Sequence, residues 1–420
     1  MTDVSLSERN DDDALLFIDE QAFYSPGSSA DEEYASHELP ALKLDLQKLK
    51  DCASEVASAR CVNVRKLSRG AFHEIFILDF EPNPNTMVEI AKARNSCIAR
   101  FTRREEPMQK ATSELATMKY VKEHSSIPVA KIFYQDLCPD NQVGAPFVLM
   151  ERLPGKHLYR LWNTMPLEHK KDVLTQLARV LTTLATFRFN VIGSLQDYGI
   201  GPLVHCFLPD QDKSFPSTVE FLSAFFREDT VEDSELKDVY NQLKQELENY
   251  FSTKSDVSYL NAPFRLIHGD FDAQNLLFVE SSPGSGKAPV LSGVLDFENS
   301  YTGPLYYLYD YPIFIQDVDH SPQFYEENAI LRPHFVRALR NAFPRDSQDA
   351  IEARNVMREK NFFLNDLERI MFLVAISSDR PDFIISGIRY FLKDLNDGTG
   401  LAYTGRMDYV PDPELDSDKD

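Results

Sequence analysis

The spacing of apolar residues changes near residue 153, and this change constrains the fold more than any other feature of the sequence. Before it, short stretches rich in β-branched and aromatic residues alternate with turns that contain Pro and Asn, a pattern typical of strands. These predicted strands span 62–67, 74–80, 96–101, 131–136 and 147–151. Between the third and fourth, residues 105–124 place apolar side chains at helical spacing along one face. The first part of the chain is therefore predicted to be an antiparallel sheet with one helix.

Beyond Gly155 the apolar spacing becomes mainly helical. A continuous apolar stripe over 168–189 predicts a long helix. One further stretch contains a strand pair, 276–279 and 290–297, around a loop rich in Gly, Ser and Pro. The other helical predictions span 216–252, 323–341, 348–357, 362–377 and 381–393. The fold class expected is α+β, with a small antiparallel-sheet lobe and a larger, mainly helical lobe.

Acidic residues concentrate at the two ends of the chain. Residues 1–40 hold eleven acidic residues and one basic residue, and 403–420 hold six and two. Such segments have little apolar surface to bury and are expected to be solvated. The predicted organisation is an acidic N-terminal extension, a first lobe, a second lobe and an acidic tail, spanning 1–50, 51–153, 154–398 and 399–420.

Composition excludes several classes of protein. The formal charge of -22 provides no basic surface for a nucleic acid, so we expect no nucleic-acid partner. No apolar run reaches the length of a membrane-spanning helix, so none is expected. The N-terminal residues resemble neither a secretory signal nor a transit peptide, which predicts a cytosolic protein. Five cysteines without a Cys-x-x-Cys pair, and no zinc-type Cys/His spacing, predict reduced thiols and no structural zinc.

One motif carries recognisable chemistry. His268-Gly269-Asp270 follows an apolar stretch, Asn275 comes five residues after Asp270, and Asp296 lies beyond the predicted hairpin. Phosphoryl transfer needs a carboxylate that accepts a hydroxyl proton, and an amide and a second carboxylate that hold magnesium. The structural alternative is a core histidine, a turn-capping aspartate and a loop-ending asparagine.

With these residues the sequence resembles the aminoglycoside phosphotransferase family of kinase-like enzymes, in particular its uncharacterised fungal members. The family has His-Gly-Asp where protein kinases have His-Arg-Asp. The resemblance implies a protein-kinase-like two-lobed fold and the use of ATP and Mg²⁺. It implies Asp270 as catalytic base, His268 as support of the catalytic loop, and Asn275 and Asp296 as metal ligands.

The resemblance also implies a nucleotide site in the first lobe. Gly70 belongs to the turn 67–74 that would cover the phosphates, although a lone glycine is ordinarily only a turn residue. Arg100 stands where the family usually has a lysine for the phosphates, and Glu114 is its expected partner. The alternatives are an edge-strand arginine and a helix glutamate that both face solvent. Glu151 to Leu153 would contact the edge of the base.

The expected activity is transfer of the ATP γ-phosphate to a hydroxyl group of a small molecule. The stretch between Asp296 and Pro312 leaves little room for a protein-kinase activation segment, which disfavours protein substrates. The alternative is a pseudokinase that binds or scaffolds, favoured by Arg100 and the glycine-poor turn. The aromatic run Tyr301, Tyr306, Tyr307, Tyr309 and Tyr311, with Asp310, would face the acceptor or pack the second lobe. The sequence leaves the acceptor, the choice between ATP and GTP, and the oligomeric state open.

Overall fold

A computed structural model describes the greater part of the chain between residues 41 and 397. The described ranges are 41–69, 72–103, 108–204, 212–225, 233–253, 260–282, 284–309, 311–316, 324–344, 347–352 and 381–397. The predicted acidic ends and the predicted helix 362–377 lie outside them. Contacts group the described residues into two compact units, the first drawn from 1–164 and 273–295 and the second from 165–272 and 296–420.

The first unit is built on a five-stranded antiparallel sheet. Its strands, in chain order, are β1 (Cys61–Arg69), β2 (His73–Phe80), β3 (Ser96–Thr102), β4 (Ile132–Asp136) and β5 (Phe147–Glu151). They are arranged in the order β1-β2-β3-β5-β4, so β3 is central and pairs with β2 and β5. The sheet predicted from the sequence is confirmed. The predicted helix is present as Met108–His124.

One face of this sheet is covered by a helix that the sequence analysis missed. Helix α1 (Leu46–Ala57) begins at Asp45, whose side chain accepts hydrogen bonds from two backbone N–H groups of the first turn. Its buried residues pack with Phe76 and Leu78 of β2 and with Ala99 and Phe101 of β3. Because successive strand residues point to opposite faces, Arg100 lies on the other face of the sheet.

The first unit extends beyond the predicted lobe boundary at residue 153. The strand β6 (Lys156–His157) pairs with β10 (Leu276–Val279), which in turn pairs with β11 (Val290–Val294). The short helices α2 (Val88–Lys92) and α4 (Leu158–Trp162), with the longer helix α3 (Met108–His124), complete this unit. The connector after β5 and the hairpin that carries Asn275 therefore belong to one compact body.

The second unit is mainly helical. Its helices are α5 (Leu167–Thr186), α6 (Thr218–Ser223), α7 (Ser234–Thr253), α8 (Leu305–Leu308), α9 (Tyr325–Asn341) and α10 (Pro381–Asp397). Two short strand pairs accompany them, β7 (Ser194–Gln196) with β8 (Gly199–Gly201), and β9 (Arg265–Ile267) with β12 (Tyr301–Gly303). The α+β fold class expected from the sequence is confirmed. Among the described helices, none is both long enough and apolar enough to cross a bilayer.

Candidate active site

The His-Gly-Asp motif follows the fully buried strand β9 in the second unit. His268 is buried, and its Nδ1 accepts a hydrogen bond from the backbone N–H of Asp270 over 3.4 Å. Nδ1 therefore carries no proton in this arrangement, and the neutral ring is protonated on Nε2. Asp270 itself is partly exposed. The histidine thus fixes the backbone that presents the Asp270 carboxylate.

The motif is held against the segment that begins at Asp296, also in the second unit. The His268 ring lies 4.6 Å from the ring of Phe297, measured between centroids. The carbonyl of His268 accepts a hydrogen bond from Ser300 Oγ at 3.0 Å. Gly269 adopts a φ of +81°, and a Cβ there would lie 2.1 Å from the carbonyl oxygen of Asn299. Only glycine fits this contact, so the two segments are closely packed.

Asp296 has an unusual backbone conformation. Its φ is 61°, in the left-handed region that non-glycine residues rarely adopt, although Asp tolerates it better than most. Its Oδ1 atom is buried. Strained conformations of this kind cost of order 1 kcal/mol or more and cluster at functional sites. The strain at Asp296 is an independent reason to regard this residue as functional.

Asn275 lies in the first unit, at the end of a 3₁₀ turn formed by Ala273–Asn275. It is buried, and its backbone carbonyl accepts a hydrogen bond from the backbone N–H of Leu295 at 2.8 Å. Leu295 directly precedes Asp296 in the sequence. The β10–β11 pairing, with Leu276 opposite Val294, therefore sets the register between Asn275 and the residue that leads into Asp296.

A histidine that the sequence analysis missed supports the Asn275 turn. His157 Nδ1 lies 2.6 Å from the carbonyl oxygen of Gln274. A carbonyl only accepts, so Nδ1 must carry the proton and donate it. Burial holds the pKa of His157 below its usual value. No sequence signal could reveal this contact, because its partners are 117 residues apart.

The first unit also contains the expected pair of Arg100 and Glu114. Arg100 Nη1 donates to Glu114 Oε1 at 2.7 Å, and Nη2 donates to Oε2 in a second, shorter bond. Glu114 is fully buried and Arg100 is 8% exposed. Both side chains therefore lie inside the unit, and the solvent-facing alternatives for these two residues do not apply. The two parallel bonds form the bidentate geometry that arginine favours with carboxylates.

The remaining nucleotide-site candidates are Glu151, Leu153 and Gly70. Glu151 is the last residue of β5. Its carboxylate accepts hydrogen bonds from the backbone N–H of Lys131 at 3.0 Å and from the Lys122 ammonium at 3.4 Å. Leu153 is partly buried in the connector that follows. Gly70, proposed for the phosphate turn, lies outside the described residues. The Glu151 side chain is thus engaged within its own unit, and so is its backbone N–H, which donates to the Lys131 carbonyl at 2.8 Å.

A buried ion pair anchors the strand that precedes the motif. Arg265 is fully buried in β9, and its Nη2 lies 2.6 Å from Glu352 Oε2. Arg188 forms a second pair with Asp349. Burial lowers the pKa of Arg265, and the nearby Arg188 charge acts in the same direction. Because β9 leads directly into His268, this network contributes to holding the motif.

The tyrosines that follow Asp296 mostly pack against neighbouring side chains of the second unit. Tyr301, Tyr306 and Tyr309 are each about 5% exposed or less. The Phe221 ring lies 5.9 Å from Tyr301 and 6.4 Å from Tyr307. Burial raises the pKa of Tyr309 well above its usual range. These contacts favour the packing interpretation, while Asp310 lies outside the described residues.

A central strand with a buried pair of a basic residue and a glutamate, and a His-Gly-Asp loop followed by an amide and a second aspartate, are together typical of kinase-like phosphotransferases, in which the basic residue is usually lysine. The chain belongs to the phosphotransferase enzyme family, whose family model matches residues 83–319, more than half of the sequence. The family resemblance inferred from the sequence is therefore confirmed.

Relatives of this chain are similar over a limited region. A subtelomeric hrmA-associated cluster protein of Aspergillus fumigatus is 33% identical over 137 residues, which cover 32% of this chain and 25% of that protein. Altered inheritance of mitochondria protein 9, mitochondrial, of Zygosaccharomyces rouxii is 28% identical over 144 residues, covering 32% and 22%. The chain thus matches about a quarter of the length of these curated relatives.

Solved structures similar to this chain include two aminoglycoside phosphotransferases. One is a thermostable mutant of APH(4)-Ia in a ternary complex with AMP-PNP and hygromycin B, 15% identical, covering 82% of this chain and 98% of that one, with a TM-score of 0.48. The other is the gentamicin–APH(2'')-IIa complex, 14% identical, covering 84% and 97%, with a TM-score of 0.47.

Proposed function

We propose that this protein is an ATP- and Mg²⁺-dependent phosphotransferase that transfers the γ-phosphoryl group to a hydroxyl of a small molecule. The observation that carries the proposal is the packing of the His268–Asp270 motif against the segment that starts at Asp296. This packing brings a partly exposed carboxylate and a strained aspartate into one well-fixed region of the second unit. Family membership supplies the reaction class.

In the proposed reaction, the acceptor oxygen attacks the γ-phosphorus as the bond to the β–γ bridging oxygen breaks. Asp270 orients the acceptor hydroxyl and takes its proton, and ADP is the leaving group. His268 fixes the backbone of Asp270 through the bond from its N–H to Nδ1. Arg100, held by Glu114, faces the nucleotide phosphates, and the backbone at Glu151 to Leu153 contacts the base.

The residues proposed for magnesium fit the chemistry of that ion. Mg²⁺ prefers oxygen ligands, usually keeps several waters and takes only one or two protein carboxylates or amides. Asn275 supplies an amide oxygen and Asp296 a carboxylate with a buried oxygen atom. When bound, the ion neutralises charge on the nucleotide phosphates.

A compact acceptor fits the chain better than a peptide. After Asp296 the chain enters β12 at Tyr301 and helix α8 at Leu305, so only a few residues connect them. A protein kinase uses a long segment at this place to position its peptide substrate. The proposal covers the class of acceptor and not one particular small molecule. We also propose a cytosolic location.

A binding protein without turnover is the second candidate, and one observation favours it. Both terminal nitrogens of Arg100 donate to Glu114, so the guanidinium is less available to phosphate than a lysine ammonium would be. On this alternative the nucleotide or another ligand would bind without reaction.

Calorimetry and turnover together test the proposal. Wild-type protein is expected to bind ATP more tightly with Mg²⁺ than without it, and Asp296→Ala is expected to remove most of that difference. In a metabolite extract, wild type is expected to consume ATP and Asp296→Ala to consume far less. Equal consumption by the two proteins contradicts the site assignment, whereas Mg²⁺-dependent binding without consumption favours the binding protein.

A further inference from the structure

The buried segment between helix α3 and strand β4 of the first unit is held by two residues from outside it. The backbone carbonyl of Val129, a fully buried residue, accepts a hydrogen bond from the Lys122 ammonium of α3 at 2.7 Å. The carbonyl of Lys131 accepts the backbone N–H of Glu151, the last residue of β5, at 2.8 Å. A buried backbone carbonyl needs a donor, so these two bonds fix where the segment lies.

The Glu151 carboxylate takes part in the pairing with the same segment. Two opposed residues of an antiparallel pair exchange two N–H···O bonds, ordinarily between backbone groups. Here the N–H of Lys131 donates to Oε2 of the Glu151 side chain at 3.0 Å. The Lys122 ammonium lies 3.4 Å from the same oxygen atom. Lys122 thus sets the position of a carboxylate that holds the end of β5 against its neighbour.

The connector that follows β5 is fixed at its other end as well. Ser292 Oγ of β11 donates to the carbonyl of Pro154 at 2.5 Å. Leu153 lies against the same strand, since a Cβ added at Gly293 would be 3.0 Å from Leu153 Cδ1. The residues proposed to contact the base, Glu151 to Leu153, therefore lie between two fixed points. A binding segment that is already held in place loses less conformational freedom when its ligand binds.

We propose that Lys122 is a positioning residue for the nucleotide base: its ammonium joins the Val129 carbonyl to the Glu151 carboxylate and thereby fixes the start of the connector. This inference rests on the proposed function, and it deepens it by naming a residue that acts on the base and not on the phosphates. The Lys122 side chain is 40% exposed, and ion pairs of exposed side chains contribute little to folding. Loss of the ammonium is therefore expected to change base binding more than stability.

The ratio of two dissociation constants tests the inference. Calorimetry with Mg²⁺ would measure the Kd of ATP, and that of tripolyphosphate, which lacks the base, for wild type, Lys122→Met and Lys122→Arg. Lys119→Met is the matched control, because Lys119 lies on the same helix and contacts Gln135 at 3.2 Å. Lys122→Met is expected to raise the Kd of ATP about fivefold and to leave that of tripolyphosphate unchanged, since the hydrogen bonds it removes hold only the connector. Lys122→Arg keeps the charge and is expected to keep most of the ATP affinity.

The outcomes separate this inference from the proposed function. If wild type binds ATP and Lys122→Met has the same ratio of Kd values as Lys119→Met, the inference is overturned and the proposed function stands. Equal losses for ATP and tripolyphosphate also overturn it, because they indicate a general structural role. Lys122→Met combined with Glu151→Gln is expected to weaken ATP no more than the stronger single change, and additive losses would contradict the action through Glu151. If wild type binds no ATP, the proposed function fails and the inference fails with it. Thermal unfolding without nucleotide verifies that each variant is folded.

Discussion

Replacing Gly269 by alanine tests the packing of the motif with a single change, because it adds one methyl group next to Asp270. Gly269 has a φ of +81°, and the new Cβ would lie 2.1 Å from the Asn299 carbonyl oxygen, whereas ordinary contacts begin near 3.4 Å. The two segments must therefore separate by roughly 1 Å. Gly284→Ala is a matched control, since Gly284 has a φ of +79° with nothing within 4 Å of its Cβ.

Both variants place an alanine at a positive φ, but only in Gly269→Ala does the new Cβ clash with another atom. An alanine at positive φ costs about 1–2 kcal/mol, which both variants lose. Gly269→Ala is expected to lose about 1–3 kcal/mol more from overpacking, measured by urea unfolding. A displacement of about 1 Å at Asp270 is expected to lower kcat about 100-fold, while Gly284→Ala keeps the wild-type rate. The reasoning is refuted if Gly269→Ala matches Gly284→Ala in both stability and kcat.

Three further predictions concern the surroundings of the site. Glu114→Ala is expected to destabilise the protein by about 3 kcal/mol in urea unfolding, because it leaves the Arg100 guanidinium buried without its carboxylate, and Glu114→Gln is expected to lose less; similar losses in both would contradict this. His157→Ala is expected to weaken Mg²⁺-dependent ATP binding several-fold with little change for adenosine, because the Gln274 carbonyl loses its donor; equal effects on both probes would indicate a general packing role. Stability is expected to fall as pH decreases below about 6.5, since burial lowers the pKa of His157 and His334 in the native state and the unfolded state then binds more protons; a His334→Gln variant with the same slope from pH 7 to 5.5 would exclude a contribution from that histidine.

The features that could be predicted from the sequence were mainly those marked by a local pattern of residues. The antiparallel strands were readable because each is short and is bounded by turn residues. The His268, Asp270 and Asn275 spacing was readable because it lies within one short stretch. The pairing of Glu114 with Arg100 was anticipated by the family resemblance, because Glu114 lies in the helix that follows the strand of Arg100.

Non-local contacts account for most of what the sequence analysis missed. The bond between His157 and Gln274 and the ion pair of Arg265 with Glu352 join residues 117 and 87 positions apart. Their geometry depends on strand register and helix packing, which one sequence does not specify. Helix α1 did have a local signal, since Asp45 caps a stretch with apolar residues at helical spacing, but the acidic residues upstream obscured it.

The most direct test of the central claim is the transfer of labelled γ-phosphate from ATP to small molecules of a metabolite extract, with Mg²⁺ present. Asp270→Asn keeps the size of the side chain and removes its ability to take a proton. Wild type is predicted to label a small molecule, and Asp270→Asn to do so at least about 100-fold more slowly with unchanged ATP affinity. Equal labelling rates for the two proteins would contradict the assignment of Asp270 and, with it, the proposed mechanism.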